Sequence, residues 1–188
     1  MRTAVTGGIG SGKSYVCRLL RARGIDIYDC DAAAKRIMRS SADVRRALTE
    51  LIGEHVYVGG ALNKGAVAAF LLRSESNARA VDSIVHPAVA TDFLRSGAQW
   101  MECAILFESG FDRLVDTVVA VTAPAQTRIE RIIARDGITR EKALEWIARQ
   151  APQDETARRA DYIIVNDGMH DVDAQVEQLL QILATHNT

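Results

Sequence analysis

Thr3-Ala-Val-Thr-Gly-Gly-Ile-Gly-Ser-Gly-Lys-Ser14 decides the reading of this chain. Its last eight residues match G-x-x-x-x-G-K-[ST] from Gly7 to Ser14. An apolar strand, residues 2–6, precedes the match. A helix follows over 13–23, with Val16, Leu19 and Leu20 on one face and Gly24 as its stop. With 13 Gly, 4 Lys and 20 Ser/Thr in 188 residues, a shuffled chain would show roughly 0.002 such matches. Glycines at these places let successive backbone N–H groups converge on one concavity, because no Cβ blocks the turn. The helix start adds its partial positive charge. The expected phosphate contacts are Gly8, Ile9, Gly10, Ser11, Gly12, Lys13, Ser14 and Tyr15, with the Ser14 hydroxyl on Mg²⁺ and the Lys13 ammonium on the β- and γ-phosphates of ATP.

Outward from the loop, strand and helix patterns alternate. Residues 25–28 read as a strand, 115–121 as a buried β-branched strand and 161–165 as a last short one. The apolar run Cys103-Ala-Ile-Leu-Phe107 reads as the third strand, ending at Glu108. Thr122 reads as a helix N-cap with Pro124 in the first turn, and that helix runs to Asp136-Gly137. Thr139 caps a helix over 140–150, and 171–185 is the closing helix. This alternation predicts an α/β fold: a P-loop kinase core with a five-stranded, mainly parallel sheet flanked by helices. Residues 32–95 are almost wholly helical, broken near Gly53 and at Val58-Gly59-Gly60, and form an acceptor-binding insertion. Residues 136–158 form a charged, arginine-bearing lid, leaving 1–31, 96–135 and 159–188 as the core.

Composition narrows the classes. Twenty-three basic and 24 acidic residues leave a net charge of −1, which excludes bulk electrostatic gripping of nucleic acid. Hydrophobic residues at 48% and charged ones at 25% describe an ordinary globular domain. No apolar run approaches the ~18 residues of a membrane helix. Met1-Arg2 leaves no room for a signal h-region, and Cys17, Cys30 and Cys103 are too sparse for a disulfide framework, so a cytoplasmic protein is expected. It is expected to be a monomer or weak homo-oligomer with small-molecule substrates. A GTPase would show D-x-x-G and N-K-x-D; Asn63-Lys64 is followed by Gly65-Ala66. A motor ATPase would end an apolar strand in Asp-Glu. A small-molecule kinase remains in front.

The second strand reads into Tyr28-Asp29-Cys30-Asp31. Alternation in a strand puts Asp29 and Asp31 on one side at its C-terminal edge, where one carboxylate takes a hydroxyl proton and the other orients it. Asp31 before Ala32-Ala33-Ala34 reads equally well as a helix N-cap. His86-Pro87 reads either as a helix kink or as a ligand contact. Asn166-Asp-Gly168 is favoured turn chemistry as well as a candidate base contact.

Taken in order, Thr6–Ser14, Asp29-x-Asp31, His86-Pro87, Ile105-Leu-Phe-Glu108, Arg128-x-x-Arg131 with Arg135-Asp136, Thr139-Arg140-Glu141 and Ala160–Gly168 resemble the dephospho-coenzyme A kinase family over essentially the whole chain. The resemblance implies transfer of the ATP γ-phosphate to the ribose 3′-hydroxyl of dephospho-CoA. It implies Asp31 as general base with Asp29 as its partner, and Lys13 and Ser14 on phosphate and Mg²⁺. Arg135 and Arg140 become lid clamps, more so than Arg131 or Arg149. Asn166 lies at adenine, and His86 and Glu108 on the acceptor side. The chain departs from the family pattern at Tyr15 (commonly Thr), at Asn63-Lys64 (commonly Asp-Arg) and at Ala104 (often Pro). None of these removes a residue the transfer needs.

Overall fold

In the computed structural model, which describes residues 1–185, the glycine-rich loop joins β1 (Thr3–Thr6) to α1 (Lys13–Ala22). The chain continues through β2 (Ile27–Asp29), α2 (Cys30–Ser40) and α3 (Ala42–Ile52). A hairpin of β3 (Tyr57–Val58) and β4 (Ala61–Leu62) precedes α4 (Lys64–Leu71) and the long α5 (Glu75–Ser96). Then come β5 (Trp100–Glu102), β6 (Thr117–Thr122) and α6 (Ala125–Asp136). Last are α7 (Arg140–Ala148), α8 (Gln153–Arg159), β7 (Tyr162–Val165) and α9 (Val172–Thr185). No helix among the described residues is long and apolar enough to cross a membrane.

Five strands form one sheet in the order β2-β5-β1-β6-β7, and β1, β5, β6 and β7 pair in parallel. β1 is central and buried along its length, which is why it has no outward polar alternation. Its register sets Val5 opposite Glu102 and Val119. The strand ends beside the loop are thereby fixed to within one residue.

The chain folds as two compact units: Met1–Tyr28 with Ala98–Thr188, and Asp29–Gly97. In the first, Val16, Cys17 and Leu20 of α1 and Val172, Val176, Leu179 and Leu183 of α9 close over Val5, Val119, Val121 and Ile164. The α9 spacing of four, three and four keeps these residues on one stripe. Each buried Val or Leu contributes roughly 1.5–3 kcal/mol. Leu20→Ala would cost about 2–5 kcal/mol, since Leu20 is fully enclosed. A smaller cluster joins α6 to α7: Ile129, Ile132 and Ala143, with Ile9 of the loop, Trp146 and Ile147 packed against it.

In the second unit, Val81, Val85, Val89 and Phe93 make the buried stripe of α5. The helix carries on through Pro87, so His86-Pro87 does not end it. The breaks expected near Gly53 and residues 58–60 have distinct forms. Gly53, at φ +113°, ends α3, while Gly59 and Gly60, both at positive φ, turn the β3–β4 hairpin.

Three local readings need correction. The third strand is Trp100–Glu102, not the more apolar Cys103–Phe107. After Cys103 N–H donates to Val5, the chain turns back on itself, with Ser109 N–H on the Ile105 carbonyl and Phe111 N–H on that of Leu106. Thr122 ends β6 and does not cap α6. Pro124 is the cap residue, and the Gln153 side chain takes the Ala123 N–H. Asp31 lies in the first turn of α2, not on a strand. Asp29 is the N-cap, its Oδ1 accepting from Ala32 N–H at 2.9 Å.

Candidate active site

The loop is gripped from outside by its carbonyls. Ile9 O accepts from Arg128 Nε at 2.8 Å. Gly10 O and Ser11 O accept from Arg131 Nη1 at 3.4 and 3.3 Å. Ser11 O also accepts from Asn166 Nδ2 at 2.9 Å, while Asn166 Oδ1 accepts from Arg131 Nη2 at 3.1 Å. Ile9 N–H donates to Gln150 Oε1 at 2.7 Å, and Ser11 N–H closes a turn on Gly8 O. The N–H groups of Gly10, Gly12, Lys13 and Ser14 have no protein acceptor among the described residues. That leaves a cradle of donors at a helix N-terminus, which is an anion site.

Gly12 is constrained by its backbone, Gly8 by the side chain above it. Gly12 has φ +91°, and a Cβ there would stand 2.0 Å from Asn166 Nδ2. Gly8 has an ordinary φ, but its Cβ would stand 2.5 Å from Arg128 Nη2. The Arg128 guanidinium is buried, and that burial presses its pKa below the ordinary value with no carboxylate opposing it.

The lysine of the motif is paired within the protein. Lys13 Nζ lies 2.6 Å from Glu102 Oε1, which also accepts from Ser14 Oγ at 3.0 Å. Arg21 Nη2 stands 3.5 Å from the other carboxylate oxygen, and the Cys17 thiol donates to the same group. Desolvation pushes the Glu102 carboxyl up, but Lys13, Ser14 and Cys17 together outweigh it and hold it below the usual range. Burial, then the Glu102 charge, push the Cys17 thiol up to about 12. Ser14 Oγ beside a carboxylate oxygen is a hard-oxygen donor set, which suits a small divalent cation completed by phosphate and water. Among the described residues no group of three or more His, Cys, Asp or Glu could hold a metal alone. A cation here would therefore be held jointly with the nucleotide.

The other expected residues fall as follows. Asn166 is buried, and both ends of its carboxamide are engaged by the loop and Arg131. Arg135 is exposed and pairs with Asp136. Arg140 opens α7, is exposed, and donates to Gln126 Oε1 at 2.9 Å. Arg149 pairs with Glu145. Tyr15 is exposed with Arg18 over its ring. Glu108 is exposed in the turn after β5. Asp29, Asp31 and His86 belong to the Asp29–Gly97 unit. There Asp31 is exposed and pairs with Lys35 at 2.7 Å, and His86 Nε2 lies 3.5 Å from Asp82 Oδ1.

Three residues at the loop escaped the sequence reading: Glu102, Arg128 in its role as carbonyl donor, and Gln150. The signal for Glu102 was present. An acidic residue after Trp100-Met101 is the strand-ending carboxylate that was sought six residues later.

Residues 1–171 match the family model described as CoaE, dephospho-CoA kinase. A dephospho-CoA kinase of Bacteroides fragilis is 37% identical over 194 residues, spanning 97% of this chain and 93% of that protein. Among solved structures, a Thermus thermophilus protein superposes with a TM-score of 0.83 at 29% identity, over 100% of this chain and 98% of the other. A dephospho-CoA kinase from Campylobacter jejuni does so with a TM-score of 0.71 at 18% identity, over 100% and 98%, which speaks to the fold. With the family model spanning residues 1–171 and a relative matched nearly end to end, this chain belongs to the dephospho-CoA kinase family.

Proposed function

We propose that this chain transfers the γ-phosphoryl group of ATP to the ribose 3′-hydroxyl of dephospho-CoA, giving CoA and ADP, the last step of coenzyme A biosynthesis. The observation that carries the donor half is the cradle of N–H groups of Gly10, Gly12, Lys13 and Ser14, which have no protein acceptor among the described residues, with the Lys13 ammonium beside it. Family membership carries the acceptor half.

Lys13 changes partner during the cycle. Glu102 holds its ammonium at 2.6 Å, and the β- and γ-phosphates draw it away. Ser14, with Glu102 behind it, would hold Mg²⁺, which when bound neutralises charge on the phosphates. Asp31 orients the acceptor hydroxyl and receives its proton; an exposed carboxylate in the first turn of α2 is available for this. Asp29 holds the start of that turn. The exposed guanidiniums of Arg135 and Arg140 neutralise the transferring group when residues 136–158 close as a lid. His86 and Glu108 serve the acceptor side. Asn166 serves ATP by shaping the loop. The proposed setting is the cytoplasm.

The test is acceptor-dependent ADP release with ATP, Mg²⁺ and dephospho-CoA, beside controls with no acceptor, AMP or adenosine. Phosphate on dephospho-CoA alone is the expected result. ATP binding without acceptor-stimulated turnover would end the proposal.

A further inference from the structure

The mechanism above leaves Gln150 unused, yet among the described residues its carboxamide makes the one contact to an N–H of the loop from outside the loop. Ile9 is held in three ways by the segment that follows β6. Its N–H donates to Gln150, its carbonyl accepts from Arg128, and its side chain packs on the α6–α7 cluster of Ile129, Ile132 and Ala143. Gln150 lies between α7 and α8, so one end of this grip is on the charged segment 136–158. The two polar groups also converge. Arg128 Nη2 and Gln150 Oε1 stand 2.5 and 3.2 Å from the point where a Cβ of Gly8 would be.

A residue whose N–H and C=O are both held has the two peptide planes on either side of its Cα fixed, here Gly8–Ile9 by Gln150 and Ile9–Gly10 by Arg128. In a glycine-rich loop, free rotation is the main cost of presenting N–H groups to an anion. A neutral carboxamide is the right group for the task. A carboxylate would accept the same hydrogen bond, but it would pair with the buried Arg128 and repel a triphosphate.

We propose that Gln150 is a positioning residue for the phosphate donor: through the Ile9 peptide it fixes the phosphate loop in its binding shape and ties that shape to the α7–α8 joint. The inference rests on the loop's being the ATP site, and not on the identity of the acceptor.

The experiment measures ATP affinity by calorimetry, thermal midpoint, and KM for each substrate in Gln150→Ala and Gln150→Glu. Loss of one backbone-holding hydrogen bond predicts about tenfold weaker ATP binding in Gln150→Ala, with KM for dephospho-CoA unchanged. Gln150→Glu gives the crossed signature: a thermal midpoint at or above wild type, from the new pair with Arg128, with ATP affinity below that of the Ala variant. An ATP affinity within twofold of wild type in Gln150→Ala, with only the melting temperature lowered, overturns the proposal, as does a Gln150→Glu protein that binds ATP normally. A wild-type protein that binds ATP but ignores dephospho-CoA would remove the acceptor assignment and leave this test intact.

Discussion

Replacing Glu102 by Gln removes one charge from a buried network and leaves its shape. Glu102 and Lys13 have side chains only 8% and 15% exposed, so water screens the pair little. Breaking such a pair from one side typically costs 3–5 kcal/mol, because the remaining charge stays buried. Gln still reaches Ser14 and Cys17 at the same geometry, which puts the expected cost near the lower end, about 3 kcal/mol. For a chain of this length that is a fall in thermal midpoint of roughly 6–12 °C. ATP must narrow the gap, because a triphosphate gives Lys13 the negative partner the substitution took away. Saturating ATP should cut the difference to about half. Acid should narrow it too. The folded Glu102 carboxyl lies below its ordinary 4.5, so its contribution is complete above that pH and is lost as pH falls through the folded value. Scanning calorimetry at pH 7 and at falling pH, with and without ATP, reads all three effects. A nucleotide-free midpoint within 2 °C of wild type, or a gap that ATP leaves untouched, would refute the idea that Lys13 alternates between Glu102 and phosphate.

Gly12→Ala should abolish measurable ATP binding while leaving far-UV circular dichroism unchanged, since the φ of +91° and the 2.0 Å approach to Asn166 forbid a Cβ only at the loop. Asp31→Asn should lower kcat by a factor on the order of 10² with ATP affinity intact; near-normal turnover would remove Asp31 from the chemistry. Cys17 should resist iodoacetamide at pH 8 in the native protein and react on unfolding, because it is fully buried and its thiol is pushed up to about 12. Peptide mapping of the labelled protein checks this, and rapid native labelling of Cys17 would contradict the buried network.

The parts of this protein that follow from neighbouring residues were readable in its sequence, and the parts set by register were not. The Gly7–Ser14 loop is local: strand, glycines, lysine and helix occur in one run. Glu102 is not local. Only the pairing of Val5 with Glu102 brings it to Lys13, and the three-residue strand that carries it is overshadowed by the more apolar Cys103–Phe107 that follows. Asp29 and Asp31 illustrate the opposite error. The alternation that would align them holds only while the strand lasts. The helix starts at Cys30, so Asp29 becomes the cap and Asp31 rotates into the first turn. Asn166 reads from sequence as turn chemistry or a base contact, and only the fold shows its buried carboxamide bonded to Ser11 O and Arg131.

The surplus of arginine over lysine, 19 against 4, has part of its explanation in the same frame. A trans peptide points its C=O and its N–H in opposite directions. Holding the carbonyls of Ile9, Gly10 and Ser11 outward therefore turns the next N–H groups, those of Gly10 and Gly12 among them, toward the other face. A lysine gathers its three donors on one compact nitrogen and cannot spread them over separated acceptors in one plane. Arg131 spans Gly10 O, Ser11 O and Asn166 Oδ1 with one planar group, and Arg128 reaches Ile9 O with its Nη2 beside the space that Gly8 leaves open. These two arginines hold the loop by its carbonyls. They fix which way the peptides face, and their charge stays behind the loop when a triphosphate arrives in front.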